Sequence, residues 1–226
     1  MREIVLDTET TGLDFKKGDR VIEVACVELH NHVVTGKNLQ FYCSTTKKIT
    51  EEAVKIHGLT NSFLNKHPPF KDQVAKFLNF IKNDPLIIHN ADFDIGFLNN
   101  ELKLSGFNQI ENKVLDTVKL ARQKLNSRTA NLDYLCKRFS IDLSERKMHG
   151  ALLDSLLLSE VYLELLGGRQ TSMLLSNKQP DAQNKNKSTK TKKHKIHEIE
   201  ISLEEKKEHK EFVSQIKNPI WYKTDY

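Results

Sequence analysis

Along the first 168 residues the spacing of apolar side chains switches repeatedly between two periods. Short blocks in which apolar residues are contiguous or alternate predict strands at 3–7, 21–29, 39–43, 86–89 and 113–116. Stretches with apolar positions three and four apart predict helices at 50–55, 71–82, 91–105, 131–139 and 150–166. Three early strands in succession, then strands alternating with helices, predict an α/β domain built on a mixed five-stranded sheet flanked by helices. The helix from Gly150 is apolar on most sides, through Leu152, Leu153, Leu156, Leu157, Leu158, Val161, Leu163 and Leu165, so it is expected to be central and buried. The pattern stops after Gly167-Gly168. Residues 176–195 hold seven Lys, one acid and a single small apolar residue, Ala182, and predict a flexible linker in a flexible C-terminal extension. From residue 196 the chain turns mixed and acidic and ends in Ile220-Trp221-Tyr222, a candidate docking segment whose alternative is a disordered tail with incidental aromatics.

Several polar residues break this pattern where apolar ones belong. Asp7 and Glu9 follow the run Ile4-Val5-Leu6, and residues two apart on a strand share a face. Two carboxylates side by side against a sheet repel each other and lose hydration, unless a divalent cation takes both. The alternative is a strand that ends in polar residues capping a turn. Asp94 lies at the start of a helix on the same stripe as Leu98 and Leu102. A helix N-terminus favours a carboxylate by up to ~1 kcal/mol, less than turning an unpaired one inward costs; capping remains the alternative. Asp154 shares its stripe with Leu157, Leu158, Val161 and Leu165, and on a buried helix face it needs a cation, from a bound metal or from Arg146 or Lys147. His149 lies five residues before it, free to swing over whatever Asp154 binds. Together these residues fit a two-metal phosphodiester hydrolase. Asp7 would bridge both ions, Glu9 and Asp154 would hold the first, Asp94 would help hold the second, and His149 would take the proton from water. Oxygen ligands suit Mg²⁺ or Mn²⁺.

Charge and cysteines narrow the setting. The net charge of +5 sits mainly in residues 176–226, with 12 Lys against 8 acids, leaving 23 basic and 22 acidic residues in 1–175. A nearly neutral body is no argument for nucleic acid, so that argument rests on the site. No apolar run approaches membrane-spanning length and none near the start resembles a signal peptide, and Cys26, Cys43 and Cys136 lack CxxC spacing. Free thiols, a cytoplasmic location and no membrane partner are expected. No GxxxxGK[ST] occurs, which excludes a P-loop NTPase. An aspartyl phosphatase with a DxDxT-like strand end leaves Asp94, His149 and Asp154 without a role, and a non-catalytic scaffold leaves all five without one.

The segments Asp7-Thr8-Glu9-Thr10-Thr11-Gly12-Leu13, His89-Asn90-Ala91-Asp92-Phe93-Asp94 and His149-Gly150-Ala151-Leu152-Leu153-Asp154 resemble the three motifs of the DEDD exonuclease family, whose fold is ribonuclease-H-like. A histidine five places before the last Asp resembles the histidine subtype. The similarity implies Asp7, Glu9, Asp94 and Asp154 as metal ligands and His149 as general base. Within the family it narrows to the epsilon subunits of bacterial DNA polymerase III, the proofreading 3′–5′ exonucleases. Residues 52–60, Glu52 to Thr60, resemble that group's substrate loop and implicate Glu52 and His57, while Thr10 and Leu13 match positions that hold the terminal nucleotide and wedge its base. Residues 170–175, with Gln170, Met173, Leu174 and Leu175, look like a weak sliding-clamp peptide. The tail resembles in layout the segment that anchors epsilon to the polymerase alpha subunit, with Trp221 and Tyr222 as contacts. The resemblance thus implies an exonuclease domain at 1–170, a clamp peptide and linker at 171–195, and an anchoring segment at 196–226, acting on a single-stranded 3′ end of DNA. A free-standing exoribonuclease or 3′ DNA-trimming enzyme is the alternative within the family, and a non-catalytic replisome scaffold the distant one. Asp92 departs from the small residue usual at its position, and the linker is richer in Lys than expected.

Overall fold

A computed structural model describes residues 1–146, 148–168 and 202–215. They fall into two compact units, within Met1–Leu174 and Leu175–Tyr226. The first unit carries strands β1 (Arg2–Thr10), β2 (Val21–His30), β3 (Val33–Tyr42), β4 (Leu86–Ile88) and β5 (Val114–Asp116) in one sheet of order β3-β2-β1-β4-β5. β1 pairs antiparallel with β2 and parallel with β4, and β2 pairs antiparallel with β3. The mixed five-stranded sheet is as expected.

Seven α-helices of this unit are described, α1 (Glu51–His57), α2 (Asn61–Leu64), α3 (Phe70–Ile81), α4 (Ala91–Leu104), α5 (Thr117–Leu125), α6 (Leu132–Arg138) and α7 (Ala151–Leu165), besides a 3-10 turn at Phe15–Lys17. The sheet is buried on both faces, which is why Ile4-Val5-Leu6 is contiguous and not alternating. Ile4, Leu6, Val24, Cys26, Leu86 and Ile88 pack against α3 and α4 through Val74, Phe77, Phe97 and Leu98. Val5, Val27 and Ile87 face the other way, onto Leu135, Leu157, Leu158 and Val161 of α6 and α7. Alternation continues past Leu6. Asp7 and Glu9 extend the face under α7, and Thr8 extends the face toward α4.

Four elements depart from expectation. β3 begins at Val33 and not at residue 39, because its first half is an exposed edge with no buried side chain to signal it. α5 was not expected; Asp116, which ends β5, caps it by accepting from the Val118 and Lys119 N–H groups. The four-residue α2 is capped by Thr60 and has one buried residue, Leu64. In the second unit α8 (Leu203–Ser214) starts with a capping box between Ser202 and Glu205, a signal outweighed by the polar composition of the segment.

The three cysteines are buried and free. No helix of the described residues is long and apolar enough to cross a membrane. Gln170, Met173, Leu174, Leu175, Trp221, Tyr222, Lys147 and the linker all lie outside the described residues.

Leu158 is one helical turn beyond Asp154 and fully buried against the sheet. Leu158→Ala is expected to lower unfolding free energy by about 2–5 kcal/mol, read by urea denaturation.

Candidate active site

The four acids expected to bind metal come from three elements that meet at one end of β1. Asp7 and Glu9 stand on β1 itself, Asp154 in the first turn of α7, and Asp94 in the first turn of α4. Asp94 is 3 % exposed and accepts a hydrogen bond from Thr8 Oγ1 at 2.7 Å, so the strand's second face holds it. Asp92, two residues earlier, is the solvated first-turn acid and pairs with Lys119 at 3.2 Å. Ligand atoms of Glu9, His149 and Asp154 all lie within 4.8 Å of one another.

Electrostatics mark the carboxylates as a coupled set. Burial pushes Asp7 well above the usual carboxylate range, and the charges of Asp94, Glu9 and Asp154 push it further. Glu9 is raised to about 8 by burial and then by Glu23 and Asp154. Asp94 rises to about 7 through burial, against the opposing Thr8 hydrogen bond. Asp154 alone moves down: burial would raise it, and hydrogen bonds from Arg146 and His149 outweigh that. Three carboxylates that resist ionisation by themselves, crowded with oxygen donors and one histidine, fit a divalent cation.

Arg146 supplies the pairing that was the alternative for Asp154. Its Nε and Nη2 each donate to one Asp154 oxygen at 2.6 Å. Glu23 was missed altogether. It lies opposite Glu9 on β2, is 2 % exposed, accepts from Gln40 Nε2 at 2.7 Å and receives the Ala151 N–H at 3.4 Å. It thereby joins the first turn of α7 to the sheet. Its position in the run Val21-Ile22-Glu23-Val24, an acid inside an apolar strand, is the signal that finds it.

Beside the acids a cavity of about 470 Å³ is lined by Glu9, Thr10, Leu13, Glu52, His57 and Phe93, among others. All four residues expected to bind substrate apart from the metal ligands are thus brought to one cavity, with Phe93 added. Asp7, His149, Arg146 and Asp154 line an adjoining cleft of about 230 Å³. The cavity wall is built by the loop after β1. Thr11 N–H donates to the Arg20 carbonyl at 2.9 Å, Thr10 Oγ1 to the Gly12 carbonyl at 2.6 Å, and Asp14 N–H to Asp19 at 3.1 Å. The folded loop leaves Leu13 85 % exposed. Opposite it, His57 is buried, with Nδ1 accepting from Leu59 N–H at 3.0 Å. That places the proton of the neutral ring on Nε2, a buried donor with the Thr10 backbone beside it. His149 N–H donates to the Ile56 carbonyl at 3.0 Å, and Gly58, at φ +74, leaves room for Met148. α1 and the segment before α7 are therefore one wall.

The exonuclease family model (RNase_T) matches residues 4–162. A relative from Rickettsia felis, DNA polymerase III subunit epsilon, is 43% identical over 223 residues, 96% of this chain and 97% of its own. Another of that name, from Buchnera aphidicola subsp. Schizaphis graminum, is 38% identical over 226 residues, 96% of this chain and 97% of its own. The chain belongs to the exonuclease family, in its epsilon-subunit branch. The exonuclease fold extends to solved structures. The nuclease domain of 3′hExo, a DEDDh family member solved with bound rAMP, superimposes with a TM-score of 0.65 at 17% identity, over 73% of this chain and 91% of that one. Members of this family are generally dependent on divalent metal.

Raised carboxylates make the ion-free exonuclease pH-sensitive. Glu9 and Asp94 hold their protons more tightly folded than unfolded, so the stability they contribute is full below about pH 4 and is lost as pH rises through about 7 to 8, and Asp7 is shifted in the same direction. Asp154 is ionised in both states across that upper range. Thermal melts in a chelator are expected to fall between about pH 6 and about pH 8.5, and the rise on adding Mn²⁺ to be larger at the higher pH. An equal rise at both pH values would contradict the coupling.

Proposed function

We propose that this chain is the proofreading 3′–5′ exonuclease subunit of a replicative DNA polymerase III, removing mispaired 3′-terminal nucleotides as 5′-monophosphates. The observation that supports the proposal is the cluster of Glu9, His149 and Asp154, with Asp7 in the same cleft and Asp94 acting on it by charge, and Glu9 shared with the cavity lined by Thr10, Leu13, Glu52 and His57. Mg²⁺ or Mn²⁺ fits the all-oxygen donor set, and two such ions, when bound, supply charge neutralisation for the phosphodiester and acidify water. Asp7 would bridge both ions, Glu9 and Asp154 would hold the first, and Asp94 would help hold the second, which the mutual charge coupling of Asp7 with all three supports.

The chain's own residues account for the remaining work. His149 is half exposed at the edge of the cleft, placed to accept the proton of the attacking water as the phosphorus–O3′ bond breaks and the 3′ oxygen leaves. His57 Nε2–H and Glu52 are placed to hold the last nucleotide, and Thr10 its sugar. Leu13, an exposed apolar side chain on a braced loop, is suited to wedge the terminal base from its neighbour. Mismatched ends unstack at lower cost and are favoured for that reason.

The assembly belongs to the same proposal. Residues 196–226, with Trp221 and Tyr222, anchor the alpha subunit, and Gln170, Met173, Leu174 and Leu175 touch the sliding clamp weakly. Residues 1–170 form the exonuclease domain and 171–195 the connecting peptide and linker. The names of the epsilon relatives support the partnership, and the free cysteines are consistent with the cytoplasm.

Mononucleotide release from a 3′-mismatched DNA primer with Mg²⁺ or Mn²⁺ tests the chemistry. Asp7→Ala and Asp154→Ala are expected to abolish it, and His149→Ala to lower kcat about 10²–10⁴-fold. Intact release in Asp7→Ala would overturn the metal-site assignment, and preference for RNA would move the chain to the exoribonuclease alternative. Truncation after residue 195 is expected to end co-purification with the polymerase catalytic subunit while preserving nuclease activity.

A further inference from the structure

The metal site already contains one cation. Arg146 presents its guanidinium to Asp154 edge-on, Nε and Nη2 each 2.6 Å from a different carboxylate oxygen. The same Nη2 lies 2.9 Å from His149 Nδ1, and Nη1 reaches Asp133. His149 Nδ1 also lies 3.3 Å from Asp154 Oδ2, so Arg146 and His149 crowd the same carboxylate oxygen. The Arg146 side chain is 7 % exposed, whereas Asp133 is 54 % exposed at the rim. This is a seated fork and not a solvated surface arginine.

We propose that Arg146 is a resident counter-ion, which holds Asp154 and His149 in the ion-free protein, yields Asp154 to the divalent cation on loading, and falls back on Asp133. The proposal rests on the metal reading of the site. A carboxylate this deeply buried stays ionised only with a positive partner. A guanidinium spanning both oxygens and a divalent ion cannot share them, because like charges at contact repel strongly in a poorly hydrated cleft. Displacement also removes the guanidinium from beside His149, so loading of the metal resets the surroundings of the base. Arg146 acts through Asp154 and His149 and is a positioning residue. Lysine would not replace it, since a point charge cannot bridge two oxygens in this geometry.

Calorimetric titration of Mn²⁺ into the full chain tests this against Arg146→Gln. The variant is expected to melt lower without ions, to bind Mn²⁺ about three- to tenfold more tightly, and to gain more on loading. Arg146→Lys is expected to shift affinity the same way by less. In the unmutated chain the Arg146 Nε–H resonance is expected to be protected from exchange without ions and exposed at saturating Mg²⁺. Unchanged or weaker Mn²⁺ binding in a folded Arg146→Gln protein, or an Nε–H that stays protected at saturating Mg²⁺, would overturn the counter-ion role alone. Absence of any Mn²⁺ binding to the unmutated chain would overturn the metal site with it.

Discussion

Like charge buried at the end of a central strand governs this molecule. Asp7 and Glu9 sit on β1 with Glu23 opposite, Asp154 above and Asp94 held from the other face by Thr8. Such a group of carboxylates is unfavourable in a poorly hydrated site, and its repulsion appears as proton affinities raised for Asp7, Glu9 and Asp94. Only a firm scaffold keeps the acids together, and β1 is the firmest available, paired on both sides and covered on both faces. α7 completes it. Its all-round apolar surface lets Asp154 be lowered onto the sheet while Leu157, Leu158 and Val161 hold the helix there.

The rest of the site is tied to that centre through backbone contacts. The Ile56 carbonyl receives the His149 N–H, and α1 carries Glu52 and His57, so the wall that faces substrate and the segment that carries the base are linked. The loop after β1 is braced by Arg20 and Asp19 and presents Leu13 to solvent. Arg20 makes the same two-pronged contact with the buried Glu101 of α4 that Arg146 makes with Asp154, its Nε and Nη2 each donating to one carboxylate oxygen at 2.6 Å. The same bidentate geometry thus serves as a fixed clasp in one place and lies across a candidate metal ligand in the other.

Much of this was legible beforehand because it depends on local rules. Strand alternation put Asp7 and Glu9 on one face, and helical spacing put Asp154 and Asp94 on inward stripes. Elements with weak apolar signals were not legible. The exposed half of β3 buries nothing, α2 buries one residue, and α5 follows a three-residue strand with only its Asp116 cap to announce it. Glu23 stayed hidden because one acid in an apolar strand has no partner in sequence to give it meaning, and its partners, Glu9, Gln40 and Ala151, come from three other segments.

By itself the sequence determined the sheet class, the inward direction of four acids, and the chemical kind of ligand they suit, since periodicity and side-chain chemistry are properties of short segments. Tertiary structure alone decided which acids meet. It joined β1, α4 and α7 at one edge, placed the Leu13 loop and α1 around one cavity, and chose Arg146 as the partner of Asp154. Distances between segments more than a hundred residues apart follow from the packing of two helical layers on one sheet, and no local pattern encodes them.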